Sequence, residues 1–243
     1  RLTMPGKGDS RIVILDIDEK SLGEVGRWPW SRDVVARLLD RLFDEHGVAL
    51  VGFDVVWAER DRSSGIQVLD ALANRELREV SGFQGAYRAL RSRLDYDALL
   101  AASLKARPVV LGYYLSTDAQ AVRANAIPPP VLPKEALAGR YAPLTRWRGY
   151  TGNLPQFQAN AAGAGHINPI VDDDGVVRRV PMLAELDGAY YEAFSLAMVR
   201  AWLALHSVGR KPPVVEPGFP AVGNAGMEWL RVGSLTIPVD EQS

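Results

Sequence analysis

Arg27-Trp28-Pro29-Trp30-Ser31-Arg32 sets two indoles, a rigid proline and two guanidinium groups directly before a helical pattern. Upstream, the apolar run Ile12-Val13-Ile14-Leu15 closes in Asp16-Ile17-Asp18-Glu19. Downstream, Val34, Val35, Leu38, Leu39, Leu42 and Phe43 recur at helix spacing. The order reads strand, acidic turn, short helix, aromatic elbow, long helix. Pro29 fixes its own φ and favours an extended Trp28. Ser31 is placed to cap the long helix through its hydroxyl, with Asp33 at the positive helix end. The indoles can pin the elbow against a sheet, with Arg27 and Arg32 paired to nearby acids, or the same groups can line a ligand pocket.

Working outward, His46-Gly47 is a helix stop, and residues 48–56 form a nearly continuous apolar run broken by Gly52 and Asp54. Strand, helices and second strand in this order predict a right-handed parallel βαβ unit. Asp16, Asp18 and Asp54 are then expected near the carboxyl ends of adjacent strands. Residues 61–107 read as helical from Val68, Leu69, Leu72, Leu99, Leu100 and Leu104, with Gly82 and Gly85 expected to divide them. Pro108 ends that pattern, and Val109-Val110-Leu111-Gly112-Tyr113-Tyr114 reads as a third buried strand.

Residues 116–157 hold Pro128-Pro129-Pro130 with little periodicity and read as a proline-rich surface excursion. Gly165-His166-Ile167-Asn168-Pro169-Ile170 and residues 176–182 look like strands around the turn Asp172-Asp173-Asp174-Gly175. A second turn, Leu186-Asp187-Gly188, leads to a helix with Phe194, Leu196, Ala197, Met198, Ala201, Trp202 and Leu205 on a wide apolar face. The expected fold class is therefore α/β: a mostly parallel central sheet flanked by helices, with an antiparallel hairpin in the C-terminal half. A single domain over residues 1–243 is expected.

With 47% hydrophobic and 23% charged residues the chain is globular. Its 28 basic and 29 acidic residues nearly cancel, which argues against a nucleic-acid partner. The absence of cysteine removes disulfides, thiolate metal sites and a cysteine nucleophile. No apolar run is long enough to span a bilayer, and residues 1–10 lack the apolar core of a signal peptide.

Two chemistries compete for the acids. Asp16 and Asp18, with Asp54, could hold a hard cation for phosphoester hydrolysis, although a dehalogenase-like motif would want threonine where Lys20 stands. Alternatively, Asp18 caps the short helix, Asp16 accepts from Arg27 or Arg32, and Asp54 joins an architectural clasp. Of Arg178 and Arg179, which point to opposite faces of a strand, the inward one is a partner for an acidic ligand or Asp54. His166 enters a strand after a glycine and suits a ligand contact, a pH-sensing role or a hydrogen-bonded filler. Three scattered histidines give zinc little support.

Four blocks resemble the CHASE domain of the second type, a bacterial extracellular sensory family: residues 14–22, 26–32, 51–57, and 165–168 with 172–181. The resemblance implies a periplasmic or extracellular input module without catalytic activity or cofactor. It implies a homodimer that receives a small-molecule or protein signal and is joined to an inner membrane through segments outside this chain. It also implies regulation of a cytoplasmic adenylate or guanylate cyclase or kinase, and a further C-terminal portion beyond Leu235-Thr236-Ile237-Pro238-Val239-Asp240. The residues expected to bind or signal are Asp16, Asp18, Arg27, Trp28, Trp30, Arg32, Asp54, His166 and Arg178.

Overall fold

Residues 109–116 are apolar at nearly every position, and they form the strand on which the rest is assembled. The structure, a computed structural model, describes residues 9–137, 139–140, 142–172, 174–220 and 226–239. Residues 1–8 of the N-terminal stretch, Asp173 of the expected turn and Asp240 lie outside the described residues. In chain order the elements are α1 (Glu19–Val25), α2 (Arg32–Asp44), β1 (Val51–Phe53), α3 (Ile66–Asn74), α4 (Ser81–Leu94), α5 (Tyr96–Leu104), β2 (Val109–Ser116), β3 (Arg123–Ala124), β4 (Arg146–Trp147), β5 (Gly149–Thr151), α6 (Pro155–Gln158), β6 (Gly163–His166), β7 (Ile170–Val171), β8 (Val177–Arg179), β9 (Leu183–Leu186), β10 (Ala189–Glu192), α7 (Phe194–Leu205), β11 (Val215–Gly218), β12 (Trp229–Val232) and β13 (Leu235–Pro238).

β1 runs parallel to the first half of β2 on one edge, and β6 runs parallel to it on the other. The second half of β2 takes β5 antiparallel, and β5 carries β3 in parallel. The central sheet is thus mostly parallel, and β1, the helices α3 to α5 and β2 make a parallel unit; the one expected between residues 12–15 and β1 does not form, because residues 12–15 are not a strand. Two faces follow from the strand alternation. Val109, Leu111, Tyr113 and Leu115 pack with Val35, Leu39, Leu100 and Leu104 of α2 and α5, whereas Val110 packs with Ala197 and Ala201 of α7. Glycine in two strands lets α7 lie close: a Cβ on Gly165 would come within 2.5 Å of the Phe194 backbone, and one on Gly52 within 2.7 Å of Met198 Sδ.

A second core lies beyond the sheet, where Leu183 of β9, Leu196 of α7, Val215 of β11 and Leu230 and Val232 of β12 meet. β9 pairs antiparallel with β10 through Asp187 and Gly188, both at positive φ, as a two-residue hairpin turn requires. β11, β12 and β13 form an antiparallel meander, and β7 with β8 forms the hairpin around Asp172 and Gly175.

Three expectations are corrected. Ile12-Val13-Ile14-Leu15 is not a strand; it is unpaired and 60–88% exposed. A run apolar on both faces needs cover on both, and the adjacent α1 buries no residue. Gly82 and Gly85 do not divide the helical region, because both lie inside α4; the breaks fall at residues 75–80 and at Asp95, whose carboxylate accepts from Ala98 N and starts α5. A glycine inside a helix costs about 1 kcal/mol, no more than a capping side chain such as that of Asp95 typically contributes. Finally, residues 116–157 are more than a surface excursion, since β5 enters the central sheet and β4 pairs with β9.

Candidate functional site

The elbow begins where Asp18 caps α1, its carboxylate accepting from Ser21 N at 2.8 Å and Ser21 Oγ at 2.7 Å. The Trp28–Pro29 peptide is cis. Trp28 meets Trp30 edge-on at 5.8 Å and leans on Trp57 at 5.9 Å, and Phe53 packs edge-on against Trp57 at 5.8 Å. Trp30 Nε1 donates to Gly26 O at 2.8 Å and closes the turn on itself. These geometries suit aromatic pairs, which favour offset and edge contacts over face-to-face stacking.

Ser31 does not cap α2 through its hydroxyl as expected; it donates to Asp33 instead. The free amide of Arg32 is taken by Asp61 Oδ2 at 2.6 Å, so a loop 29 residues away caps the helix. The Arg32 side chain then turns inward. Its guanidinium lies 4.4 Å over the Trp57 ring, donates through Nη2 to Glu59 O at 3.1 Å, and brings Nε to 4.0 Å from Asp97 Oδ1. Asp97 also accepts from Asp61 N at 3.2 Å. Arg32 and Asp97 are both buried, and burial dominates both: it raises the Asp97 carboxyl above its usual range, against the Asp61 amide and the Arg32 charge, and lowers Arg32 against the pull of Asp61, Asp97 and Glu59. Arg32 Nε and Trp57 Nε1 are buried without an acceptor.

Trp57 is itself fixed from the sheet. Its amide donates to Asn153 Oδ1 at 2.8 Å, and Asn153 Nδ2 donates to Gly112 O at 2.9 Å, which splices the end of β1 to the middle of β2. Asn168 acts alike beyond β6, accepting from Leu115 N and donating to Leu115 O, both at 2.8 Å. The elbow is therefore a clasp of aromatic and ionic contacts that ties α2, the segment after β1, α5 and the start of α6 together.

The other expected residues do not join the buried contacts of the clasp. Asp16, Asp18, Arg27 and Asp54 are exposed, and among the described residues no group of three acids or histidines is arranged to hold a metal. Arg178 does not meet Asp54, because the hairpin acids hold it: Asp172 at 2.9 Å and Asp174 at 2.8 Å. His166 is fully buried and both ring nitrogens lack a partner. Asp61, Asp97 and Asn153 were not foreseen. Asp97 had a signal, since it shares the buried stripe of α5 with Leu100 and Leu104 at helix spacing; Asn153 had none in the sequence.

A groove of about 430 Å³ runs between α2 and α5. Most of its charges are paired, Arg37 with Asp33 at 2.6 Å and Arg107 with Asp40 and with Asp44 at 2.9 Å, with Lys105 also on its wall. No helix among the described residues is long and apolar enough to cross a membrane.

No curated protein and no solved structure matches the chain. The CHASE2 domain model matches residues 1–243, so elbow, parallel sheet and hairpins fall inside one family pattern. On that match, the chain belongs to the CHASE2 family of extracellular, non-catalytic sensory domains.

Proposed function

We propose that the chain is the periplasmic input domain of a bacterial transmembrane receptor, acting as a homodimer that passes a small-molecule or protein signal to a cytoplasmic adenylate or guanylate cyclase or kinase. The observation that supports it is the family match along the whole chain. The elbow gives the proposal a physical basis. Arg32 holds the segment after β1 through a hydrogen bond to Glu59 O and faces Asp97 of α5 as an ion pair at 4.0 Å, so a displacement at the clasp moves elements on one face of the sheet together. A ligand shifts such an arrangement only by its difference in affinity for the two states. Asp16, Asp18 and Asp54 form no metal-holding group among the described residues, so the site lends the phosphohydrolase alternative no support.

The test is a thermal-shift screen against divalent cations, small acids, nucleotides and periplasmic metabolites, repeated on Arg32→Ala. At a concentration of about 100 times Kd a ligand adds roughly 2.7 kcal/mol, a visible shift. A compound that stabilises the wild type and not the variant supports the elbow as receptor. If no compound shifts the wild type, a small-molecule signal is ruled against and a protein partner takes its place.

A further inference from the structure

Three buried polar groups converge away from the elbow. Tyr113 of β2 and His166 of β6 are register partners and point to one face of the sheet; neither is exposed, and Tyr113 Oη and both His166 nitrogens lack partners. His166 pairs across to Ala193, the residue after Glu192. Glu192, with its side chain 12% exposed, forms an ion pair with Arg200 of α7 through Oε1, while its Oε2 is buried and unpaired. Arg200 donates in turn through Nε to Pro213 O at 2.9 Å. Pro213 stands two residues before β11, so one guanidinium joins β10 and α7 to the lead-in of the meander.

We propose that Glu192 and Arg200 form a proton-operated clasp that fastens the β11–β13 meander to α7 and releases it as the medium acidifies. A protonated Glu192 no longer holds the Arg200 charge. Arg200 is then a half-buried cation whose remaining partner here is a neutral carbonyl, and it gains by moving further into water. Its bond to Pro213 goes with it. The lead-in has room to follow, because a cavity of about 290 Å³ lined by Leu203, Ser207, Pro213 and Gly233 lies beside it.

The surroundings favour proton uptake near neutrality. Burial pushes the Glu192 carboxyl up to about 7, with Arg200 opposing. From β2, Tyr113 feels the Glu192 charge, and its own hydroxyl is held neutral by burial. His166, alongside on β6, is kept neutral by burial down to about pH 4, so it does not titrate in the same window. Tyr191 is the strand neighbour, and Lys211 in the lead-in is exposed. That this release is a signal rests on the sensory proposal above; the release itself does not.

The test is hydrogen exchange of the 243-residue chain at pH 7.5 and 5.5, expressed as protection factors. Loss of one charge-assisted bond should lower protection of residues 214–218 about tenfold at the lower pH, while residues 109–116 of the central sheet keep theirs. Glu192→Gln should show the low value at both pH values. If that variant does not fold, Arg200→Gln should show the same loss of pH response, and the carboxyl carbon of wild-type Glu192, followed by NMR, should titrate near 7. Equal protection of residues 214–218 at both pH values in the wild type overturns the clasp. A meander that loosens at pH 5.5 in a receptor whose output ignores pH supports the clasp and overturns its role in signalling.

Discussion

His166 and Glu192 load the fold with opposite pH dependences. Burial pushes His166 from its ordinary 6.5 to about 4. Between those values the unfolded chain binds the proton and the folded chain does not, so stability falls as pH drops from 6.5 towards 4. Glu192 is raised from 4.5 to about 7; the folded chain holds its proton longer, so its contribution is full below 4.5 and is lost as pH rises through 7. Each shift corresponds to roughly 3 kcal/mol, and between pH 4.5 and 6.5 the two nearly cancel. Urea unfolding should therefore show a flat profile over that window in the wild type. His166→Phe should expose a decline towards pH 7, and Glu192→Gln a rise from pH 4; a His166→Phe profile as flat as the wild type would show that the imidazole is not held neutral. At the elbow, Arg32→Ala leaves Asp97 buried without its cation and should cost about 3 kcal/mol. Arg32→Lys should recover less than half of that by the same measurement, since an ammonium lacks the flat face over Trp57 and the fork that reaches Glu59 and Asp97 together. Trp30 and Arg32 were legible as anchors because so much aromatic area in six residues asks for burial, whereas Trp28 leans on Trp30 and Trp57 and stays 37% exposed. Their partners were not, because Asp61 and Asp97 arrive from a loop and a helix that only the tertiary fold brings near.

Among the elements, those with long apolar runs or strong turns could be read directly. β2 has five buried apolar side chains around one glycine, with Tyr114 alone of its apolar residues exposed, and the Asp-Gly turns fix their hairpins through positive φ at Gly175 and Gly188. β3, β4 and β5 span two or three residues each, too few for alternation to show, and they are recruited by the edges of β2 and β9 rather than by their own propensity. The splice by Asn153 is the sharpest case: a side-chain amide does the work of a strand, so no backbone pattern announces it. Gly165 tests how tightly this arrangement is set. Its absent Cβ makes room for the backbone of Phe194 at 2.5 Å, and backbone cannot rotate away as a side chain does. Gly165→Ala should therefore lift the start of α7 from the sheet and destabilise by about 1–3 kcal/mol. Gly163→Ala, where nothing lies within 4 Å, should change denaturant midpoint little. Equal midpoints for the two variants would mean that α7 does not rest on the glycine row.

At the scale of the molecule, two cores divide the work. One lies between the central sheet and the α2 and α5 helices, with the elbow at its margin; the other joins β9, α7 and the meander, with Glu192 and Arg200 at its margin. β2, β6 and α7 connect them, so a change at either margin is transmitted through packed elements. Residues 12–15 take part in neither core, against the expectation from their composition. A strand apolar at four consecutive positions normally belongs inside a sheet, and the free edge of β1 is the parallel position that the strand order prescribes. In this structure only Ile17, just beyond the run, packs on the core. The two placements differ measurably. With Ile14 88% exposed, Ile14→Lys removes no buried contact and should alter the unfolding free energy by less than about 0.5 kcal/mol. Were the run docked on β1, the same substitution would bury a charge between sheet and helix and cost at least about 3 kcal/mol. Urea unfolding of Ile14→Lys beside Leu39→Ala, which removes a fully buried side chain and should cost about 2–5 kcal/mol, sets the scale. A loss for Ile14→Lys as large as that for Leu39→Ala would return the run to the sheet.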